Sequence, residues 1–230
     1  MLLVLQQSGA LSGKALGAEG DRIANDFLIG SLLLSRRSDA ILSEEAKDDL
    51  GRLSASRVWI IDPLDGTREF SEGRSDWAVH VGLAIDGVAA VGAVALPGLG
   101  LTLCSGQPRT LGALTSPLRM LVSRTRPARE AIHVAQALGA ELVPMGSAGA
   151  KAMAVVRGEA DIYLHTGGQY EWDNCAPAAV AAAAGLHVSR ADGAPLRYNN
   201  RDTSLPDLLI CRPELADDVL RLTAEYALSG

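Results

Sequence analysis

The 230 residues suit one large α/β unit or two small domains sharing an interface. Against 27 aspartates and glutamates stand 21 lysines and arginines, and the resulting net charge of −6 argues against a partner with a nucleic-acid phosphate backbone. Hydrophobic residues at 48% and charged residues at 21% allow a buried core, which excludes a disordered chain.

Residues 1–7 are apolar but lack a basic leader, so they read as the tail of an amphipathic helix rather than a signal peptide or membrane span. Residues 14–20, with two glycines, read as a loop. From Asp21 to residue 37, Ile23, Phe27, Leu28, Leu32 and Leu33 recur at helical spacing. Residues 40–42 form a short strand running into Ser43-Glu44-Glu45, and 58–61 a continuous apolar strand ending at Asp62. Strands follow at 78–84, 88–96 and 99–103, with Asp86-Gly87 as a hairpin signal. The stretch 105–117, loose and proline-bearing, marks a boundary between domains at 1–112 and 118–230. Beyond it the spacing predicts strands at 119–123, 141–144, 160–164 and 208–211. Helices are predicted at 127–138, 149–158, 175–184 and 213 to about 228. This alternation predicts layered helices and sheets, an α/β (α+β) class.

Cys104, Cys175 and Cys211 are too few and too far apart for a disulfide framework, which suits a reducing cytoplasm. His80, His133, His165 and His187 are equally scattered, so no zinc cluster is expected.

The most informative stretch is Trp59-Ile-Ile-Asp-Pro-Leu-Asp-Gly-Thr-Arg-Glu-Phe70. A buried strand delivers Asp62, Pro63 stiffens the turn, and Asp65 follows three residues later. Two carboxylates converging there repel unless a cation lies between them, and Mg²⁺ prefers oxygen ligands. Gly66 allows close backbone approach, and Gly66 and Thr67 sit where a helix N-terminus would offer N–H groups to a phosphate. The competing reading is a plain turn in which Asp65 caps a short helix. It does not explain why acids recur at Glu44-Glu45 after a short strand and at Glu171-Trp172-Asp173 before an alanine-rich helix. Asp173 also suits an N-cap, a role compatible with binding metal through its other oxygen.

A Glu-Glu pair, a D-P-[LI]-D-G-T turn and a late W-D before a small-residue helix with glycine occur here in order, as Glu44-Glu45, Asp62 to Thr67, and Trp172-Asp173 through Gly185. The chain therefore resembles the inositol monophosphatase superfamily of Mg²⁺-dependent, Li⁺-sensitive phosphatases over nearly its whole length. Arg68-Glu69-Phe70 after the turn, the stretch from Gly146 to Tyr163, and Ser123-Arg124 resemble the 3′-phosphoadenosine 5′-phosphate phosphatase (CysQ-type) branch.

The resemblance implies a layered αβαβα sandwich of the inositol monophosphatase and fructose-1,6-bisphosphatase type. It implies a first Mg²⁺ held by Glu44, Asp62 and the Leu64 carbonyl, and a second held by Asp62, Asp65 and Asp173. Glu45 would support Glu44 or a third ion. Thr67 and Asp21 would orient and deprotonate the attacking water, with Glu19 a nearby alternative acid and a plain N-cap the competing role for Asp21. Substrate contacts would come from Glu44, Leu64, Asp65, Gly66, Thr67, Ser123, Arg124, Gly146, Ser147, Lys151 and Asp173. The Gly66 and Thr67 N–H groups would meet the scissile phosphate, Lys151 the second phosphate or ribose, and Ser123 and Arg124 the adenine or 5′-phosphate. Solvated surface charges are the competing reading for Lys151 and Arg124, and packing the favoured one for Tyr163 and Tyr198.

The implied reaction is hydrolysis of adenosine 3′,5′-bisphosphate to AMP and phosphate, with its sulfated form also accepted, which ties the chain to sulfate assimilation. A sugar-phosphate phosphatase acting on inositol monophosphate or fructose 1,6-bisphosphate is the alternative, and a non-catalytic nucleotide-binding relative a third. The partner is a small phosphorylated nucleotide, with no nucleic-acid polymer and no membrane, and homodimers are usual in the superfamily. The departure is N-terminal. Members carry a long helix before the equivalent of Asp21, whereas residues 1–7 look like its last turns, which suggests truncation or a mobile loop at 14–20.

Overall fold

The computed structural model describes residues 1–229. Five strands of the first half, β1 (Ala40–Ser43), β2 (Arg57–Asp65), β3 (Ala78–Ile85), β4 (Val88–Leu96) and β5 (Leu101–Cys104), form one sheet in sequence order. Only β1 and β2 run parallel; β2 to β5 form an antiparallel meander. The second sheet contains β6 (Arg119–Ser123), β7 (Glu141–Met145), β8 (Ile162–Tyr170), β9 (His187–Ser189) and β10 (Ser204–Cys211), in the order β7-β6-β8-β10-β9. There β6 is parallel to β7 and β8, while β10 is antiparallel to both its neighbours.

The helices are α1 (Leu2–Gln7), α2 (Gly13–Ser35), α3 (Thr67–Ser71), α4 (Arg129–Leu138), α5 (Ala148–Val156), α6 (Glu171–Ala183) and α7 (Ala216–Ser229). Three helical layers enclose the two sheets. On the outer face of the first sheet, α1 and α2 bury Leu2, Leu16 and Ala24 against Leu64, Phe70 and Trp77. Between the sheets lie α5 and α6, whose alanines join Val94 and Leu96 of one sheet to Tyr163, Leu208 and Ile210 of the other. On the far face, α4 and α7 cover Met120, Ile162 and Leu209. The expected αβαβα layering is present.

The alanine-rich composition of α6 has a packing cause. A Cβ on Gly92 would lie 2.4 Å from the Ala176 carbonyl oxygen, so β4 and the helix touch backbone to backbone. Larger residues on either element would push the layers apart.

Several element limits differ from those read off the sequence. The helix containing Asp21 begins at Gly13, so residues 14–20 are helical and Asp21 lies in its interior. Gly17 and Gly20 look like loop residues but serve contact. A Cβ at Gly17 would approach Thr67 Cγ2 to 2.7 Å, and one at Gly20 would approach Leu64 Cδ2 to 2.9 Å. The strand expected from residue 99 begins at Leu101, after a 3₁₀ turn over Pro97–Leu99. Strand β8 runs on to Tyr170 and α6 starts at Glu171, not 175. Pro177 thus lies in the second turn, where it removes the N–H that would reach the Asp173 carbonyl. The edge strand β9, three residues long, carried no pattern of its own. Cys104, Cys175 and Cys211 are free thiols, and among the described residues no helix is long and apolar enough to cross a membrane.

Candidate metal centre and active site

The ladder between β2 and β3 is regular as far as Asp62 opposite His80, slips, and resumes with Asp65 opposite Ala78. The slip falls on Pro63-Leu64, where proline has no N–H for the ladder. It brings Asp62 and Asp65, on one strand and three residues apart, to the same place. The Leu64 N–H donates to Asp62 Oδ1 at 3.0 Å, which fixes that carboxylate. Gly66 then turns the chain into α3 with φ +90°, a conformation L side chains rarely adopt. A Cβ there would also press on Ser147 Cβ at 3.1 Å and Trp77 Cβ at 3.3 Å.

Asp173 is the third residue of α6, and its Oδ2 accepts the Tyr170 N–H at 2.6 Å in a capping box. Asp173 is thus not the N-cap itself, which is Tyr170, but the capping-box partner three residues on, and its other oxygen is left for the cluster. One carboxylate oxygen each of Asp62, Asp65 and Asp173 lies within 4.8 Å of the others. Glu44 follows β1, its N–H donating to the Ile61 carbonyl at 3.3 Å. As a residue it is exposed, yet its carboxyl lies near enough to the cluster to feel the charges of Asp173 and Asp65.

The charges here are unbalanced. Burial, then the Asp173 charge, pushes Glu44 up to about 7. Burial, then Asp65, pushes Asp173 up to about 6. Asp62, fully buried beside Asp65 and Glu44, is raised well above the usual carboxylate range. Burial and the Glu45 charge lift Asp21 to about 6. Carboxyl groups that resist ionisation together lack a counter-ion, and hard divalent cations take such oxygen sets. The residues present therefore fit a cation.

Asp65 behaves in the opposite way. Burial would raise it, but its hydrogen-bond and charge partners outweigh burial and hold it down to about 2. Ser147 Oγ donates to its Oδ2 at 2.5 Å and the Gly149 N–H at 2.6 Å, while the Ala148 N–H reaches Oδ1 at 3.1 Å. Asp65 thus caps the N-terminus of α5 from the opposite sheet. His80 Nε2 lies 3.1 Å from the same Oδ2, an ion-pair distance without hydrogen-bond alignment. Its Nδ1 sits 3.0 Å from the Trp172 carbonyl, which ties β3 to the start of α6. A Cβ on Gly149 would fall 2.0 Å from His80 Nε2, so glycine is required by proximity.

Thr67 opens α3 and its hydroxyl faces two acceptors, the Leu64 carbonyl at 3.1 Å and Asp21 Oδ1 at 3.3 Å. Beside this pair is a cavity of about 560 Å³ lined by Lys14, Gly17, Asp21, Thr67, Arg68 and Ser71.

The remaining expected contacts are placed less centrally. Gly146 donates its N–H to Asp76 at 2.8 Å, and Ser147 is committed to Asp65 and to the Ala150 N–H. Lys151, 5% exposed, donates to the Gly146 and Ser147 carbonyls at 3.1 and 2.6 Å and lies 5.3 Å from the centroid of the Tyr163 ring. It is not a solvated helix lysine. Burial lowers its pKa against the pull of Asp65 and Glu69. Arg124 pairs with Glu69 at 2.9 Å and Glu72 at 2.8 Å, and Ser123 Oγ accepts the Arg126 N–H at 3.2 Å. The structure thus gathers Glu44, Asp62, Asp65, Asp173, Leu64, Thr67 and Asp21, and leaves Ser123 and Arg124 on the flank of α3.

Sequence reading missed His80, set aside as one of four scattered histidines. The alternation along β3, where Ala78, His80 and Gly82 all point inward, was the available signal.

A model of the inositol monophosphatase family matches residues 4–226. The chain is 50% identical to a 3′-phosphoadenosine 5′-phosphate phosphatase of Mycobacterium leprae, across 98% of this chain and 88% of that one. It is 52% identical to the protein of that name from Mycobacterium bovis, across 91% and 82%. It is 31% identical to the 3′(2′),5′-bisphosphate nucleotidase CysQ of Escherichia coli K12, across 72% of each. Among solved structures, CysQ from Bacteroides thetaiotaomicron superposes with a TM-score of 0.78 at 24% identity, covering 92% of this chain and 91% of that one. Inositol monophosphatase II from Staphylococcus aureus superposes with a TM-score of 0.77 at 19% identity, covering 95% and 88%. These last two likenesses bear on the fold alone.

Proposed function

We propose that this chain, which belongs to the inositol monophosphatase family, is a Mg²⁺-dependent phosphatase that removes the 3′-phosphate of adenosine 3′,5′-bisphosphate. The observation that carries the substrate is the 50–52% identity, over nearly the whole chain, to two proteins named for that reaction. The sulfated nucleotide is accepted by the same site, yielding adenosine 5′-phosphosulfate. Residues 1–112 and 118–230 serve as two domains meeting at the acidic cluster, and the enzyme works in the cytoplasm as a homodimer.

Glu44, Asp62, Asp65, Asp173 and the Leu64 carbonyl hold two Mg²⁺ ions, with Glu45 open to a third. Bound there, Mg²⁺ supplies charge neutralisation for the phosphoryl oxygens and lowers the pKa of water. The chain's own residues do the rest. The N–H groups of Gly66 and Thr67 orient the scissile phosphate. Thr67 Oγ1 carries one proton for two acceptors, so as it donates to Asp21 its lone pairs can accept from the attacking water. Asp21, held near 6, then takes the water proton close to neutral pH. Lys151 puts a buried positive charge behind Asp65 and Asp173 and faces the second phosphate or ribose.

Phosphate release from adenosine 3′,5′-bisphosphate, its sulfated form, inositol 1-phosphate and fructose 1,6-bisphosphate, each with and without Mg²⁺, tests the assignment. The highest kcat/KM should fall on the bisphosphorylated nucleotides and vanish with chelator. A preference for either sugar phosphate would overturn the substrate.

A further inference from the structure

Two residues that no catalytic role absorbs, Arg52 and Glu171, are among the most buried charges in the molecule, at 3% and 0% exposure. Arg52 Nε and Nη2 donate to Asp48 Oδ2 at 3.0 and 2.7 Å. Its Nη1 donates to Asn199 Oδ1 at 2.8 Å and to the Asn200 carbonyl at 3.0 Å. Glu171 Oε2 accepts the Asn199 N–H at 2.7 Å, and its Oε1 accepts the Asn200 N–H and Nδ2 at 2.7 and 2.8 Å. Asn199 closes the link, its Nδ2 donating to the Arg52 carbonyl at 3.0 Å from a backbone with φ +63°. An unbroken chain of hydrogen bonds thus runs from Asp48 through Arg52, Asn199 and Asn200 to Glu171.

Both ends of this chain lie close in sequence to residues of the acidic cluster. Asp48 follows Glu44 by four residues, and Glu171 precedes Asp173 by two. The segment after β1 has no other rigid element before the 3₁₀ turn at Gly51–Ser54, whose Arg52 makes the link. The hydrogen-bonded chain ties the segment that carries Glu44 to the segment that carries Asp173. Well-packed apolar residues of similar volume are often as stabilising as a buried ion network, so stability alone does not call for one here. Directional, charge-assisted bonds add fixed geometry.

We infer that Arg52 and Glu171 are positioning residues that set the spacing of Glu44 and Asp173, and so the affinity of the site for its divalent cation. The inference rests on the metal-site reading above. Hydrogen-bonded supports of metal ligands typically carry about 10–100-fold in affinity, and the lower end is expected for a brace that acts through backbone segments.

The test is a Mg²⁺ titration of the metal-free protein, with no substrate, followed by the rise in Tm and by calorimetry. Glu171→Gln keeps one acceptor oxygen, and Arg52→Lys keeps the charge but loses the fork, so each is gentle and either suffices if the other fails to fold. Val219→Ala, in the core between α7 and the far sheet, is the control for general loosening. The brace variants should bind Mg²⁺ about tenfold more weakly, and phosphate release, where present, should recover at high Mg²⁺. Val219→Ala should lose Tm with unchanged Mg²⁺ affinity. Unchanged affinity in the brace variants, or an equal loss in Val219→Ala, would overturn the inference. If the unaltered protein binds Mg²⁺ but releases no phosphate from any substrate, the proposed function falls and the brace stands.

Discussion

The acidic cluster makes stability and metal binding depend on pH in opposite directions. In the metal-free protein Asp21 and Asp173 sit near 6 and Glu44 near 7, whereas unfolded carboxyl groups titrate near 4. A carboxyl raised by folding holds its proton more tightly in the native state. Its contribution is therefore full at acid pH and is lost as pH rises through the folded value. Between pH 5.5 and 8.0, a group near 6 gives up about 0.8 kcal/mol and one near 7 about 2 kcal/mol. Glu44 is open to water, so its share is halved to about 1 kcal/mol by screening. The sum is about 2–3 kcal/mol, or roughly 5–10 °C in Tm for a chain of this size. His80, raised by Asp65 against burial, adds loss in the same direction, while Asp65 near 2 titrates below the window. Mg²⁺ competes with these protons, so its stabilisation should grow as they leave. Differential scanning fluorimetry at both pH values, with and without saturating Mg²⁺, reads both effects. Metal-free Tm should be higher at pH 5.5, and the Mg²⁺-induced rise larger at pH 8.0. A Mg²⁺-induced rise equal or greater at pH 5.5 would refute the assignment of the cluster as the cation site.

Asp65→Asn should lose about 1.5–3 kcal/mol, because an amide N–H₂ must face the donors of Ser147, Ala148 or Gly149. Its Tm should also stop responding to Mg²⁺, and a variant responding like the parent would exclude Asp65 as a ligand. Gly149→Ala should cost about 1–3 kcal/mol in urea unfolding, since the new methyl meets a fully buried His80 that has no space to retreat. Thr67→Ala should lower kcat about 100-fold while leaving Mg²⁺ affinity within twofold, as its role is toward water and Asp21. A rise in KM alone would instead place Thr67 in substrate binding.

Local chemistry explains what the sequence made legible. Asp62, Pro63, Asp65 and Gly66 lie within five residues, so strand, bulge and turn are all encoded in one short string. Glu44 and Asp173 were legible through the Glu-Glu and Trp-Asp signatures of the family resemblance, although the start of α6 at Glu171 was not. The start of α2 was not, because Gly17 and Gly20 carry the signature of a loop but are used for close approach to Thr67 and Leu64. Whether a glycine marks a turn or a contact depends on what packs against it, and that partner lies some fifty residues away. The same limit hides His80, and it hides the bonds between Arg52 and Asn199, which span 147 positions. Contacts of that range leave no local periodicity.

The site divides its carboxylates into two kinds. Asp65 is kept ionised by three donors from the other half of the chain and by His80 at ion-pair distance, so it offers a fixed charge whether or not a cation is present. Glu44, Asp62 and Asp173 have fewer such partners, and burial and their mutual repulsion raise them, so they give up their protons less readily until a cation balances the charge. One pre-formed ligand reduces the reorganisation needed when an ion binds, and whatever protons the raised carboxyls retain limit repulsion before it does. Ser147 and Gly149 matter through Asp65. Ser147 is one of the substrate contacts that the sequence implies, yet its hydroxyl, like the Gly149 N–H, points to the carboxylate. The helix α5 that carries Lys151 is thereby anchored to the same atom that anchors the metal site. A shift of Asp65 would move both, so substitutions at Ser147 should change Mg²⁺ dependence and nucleotide KM together.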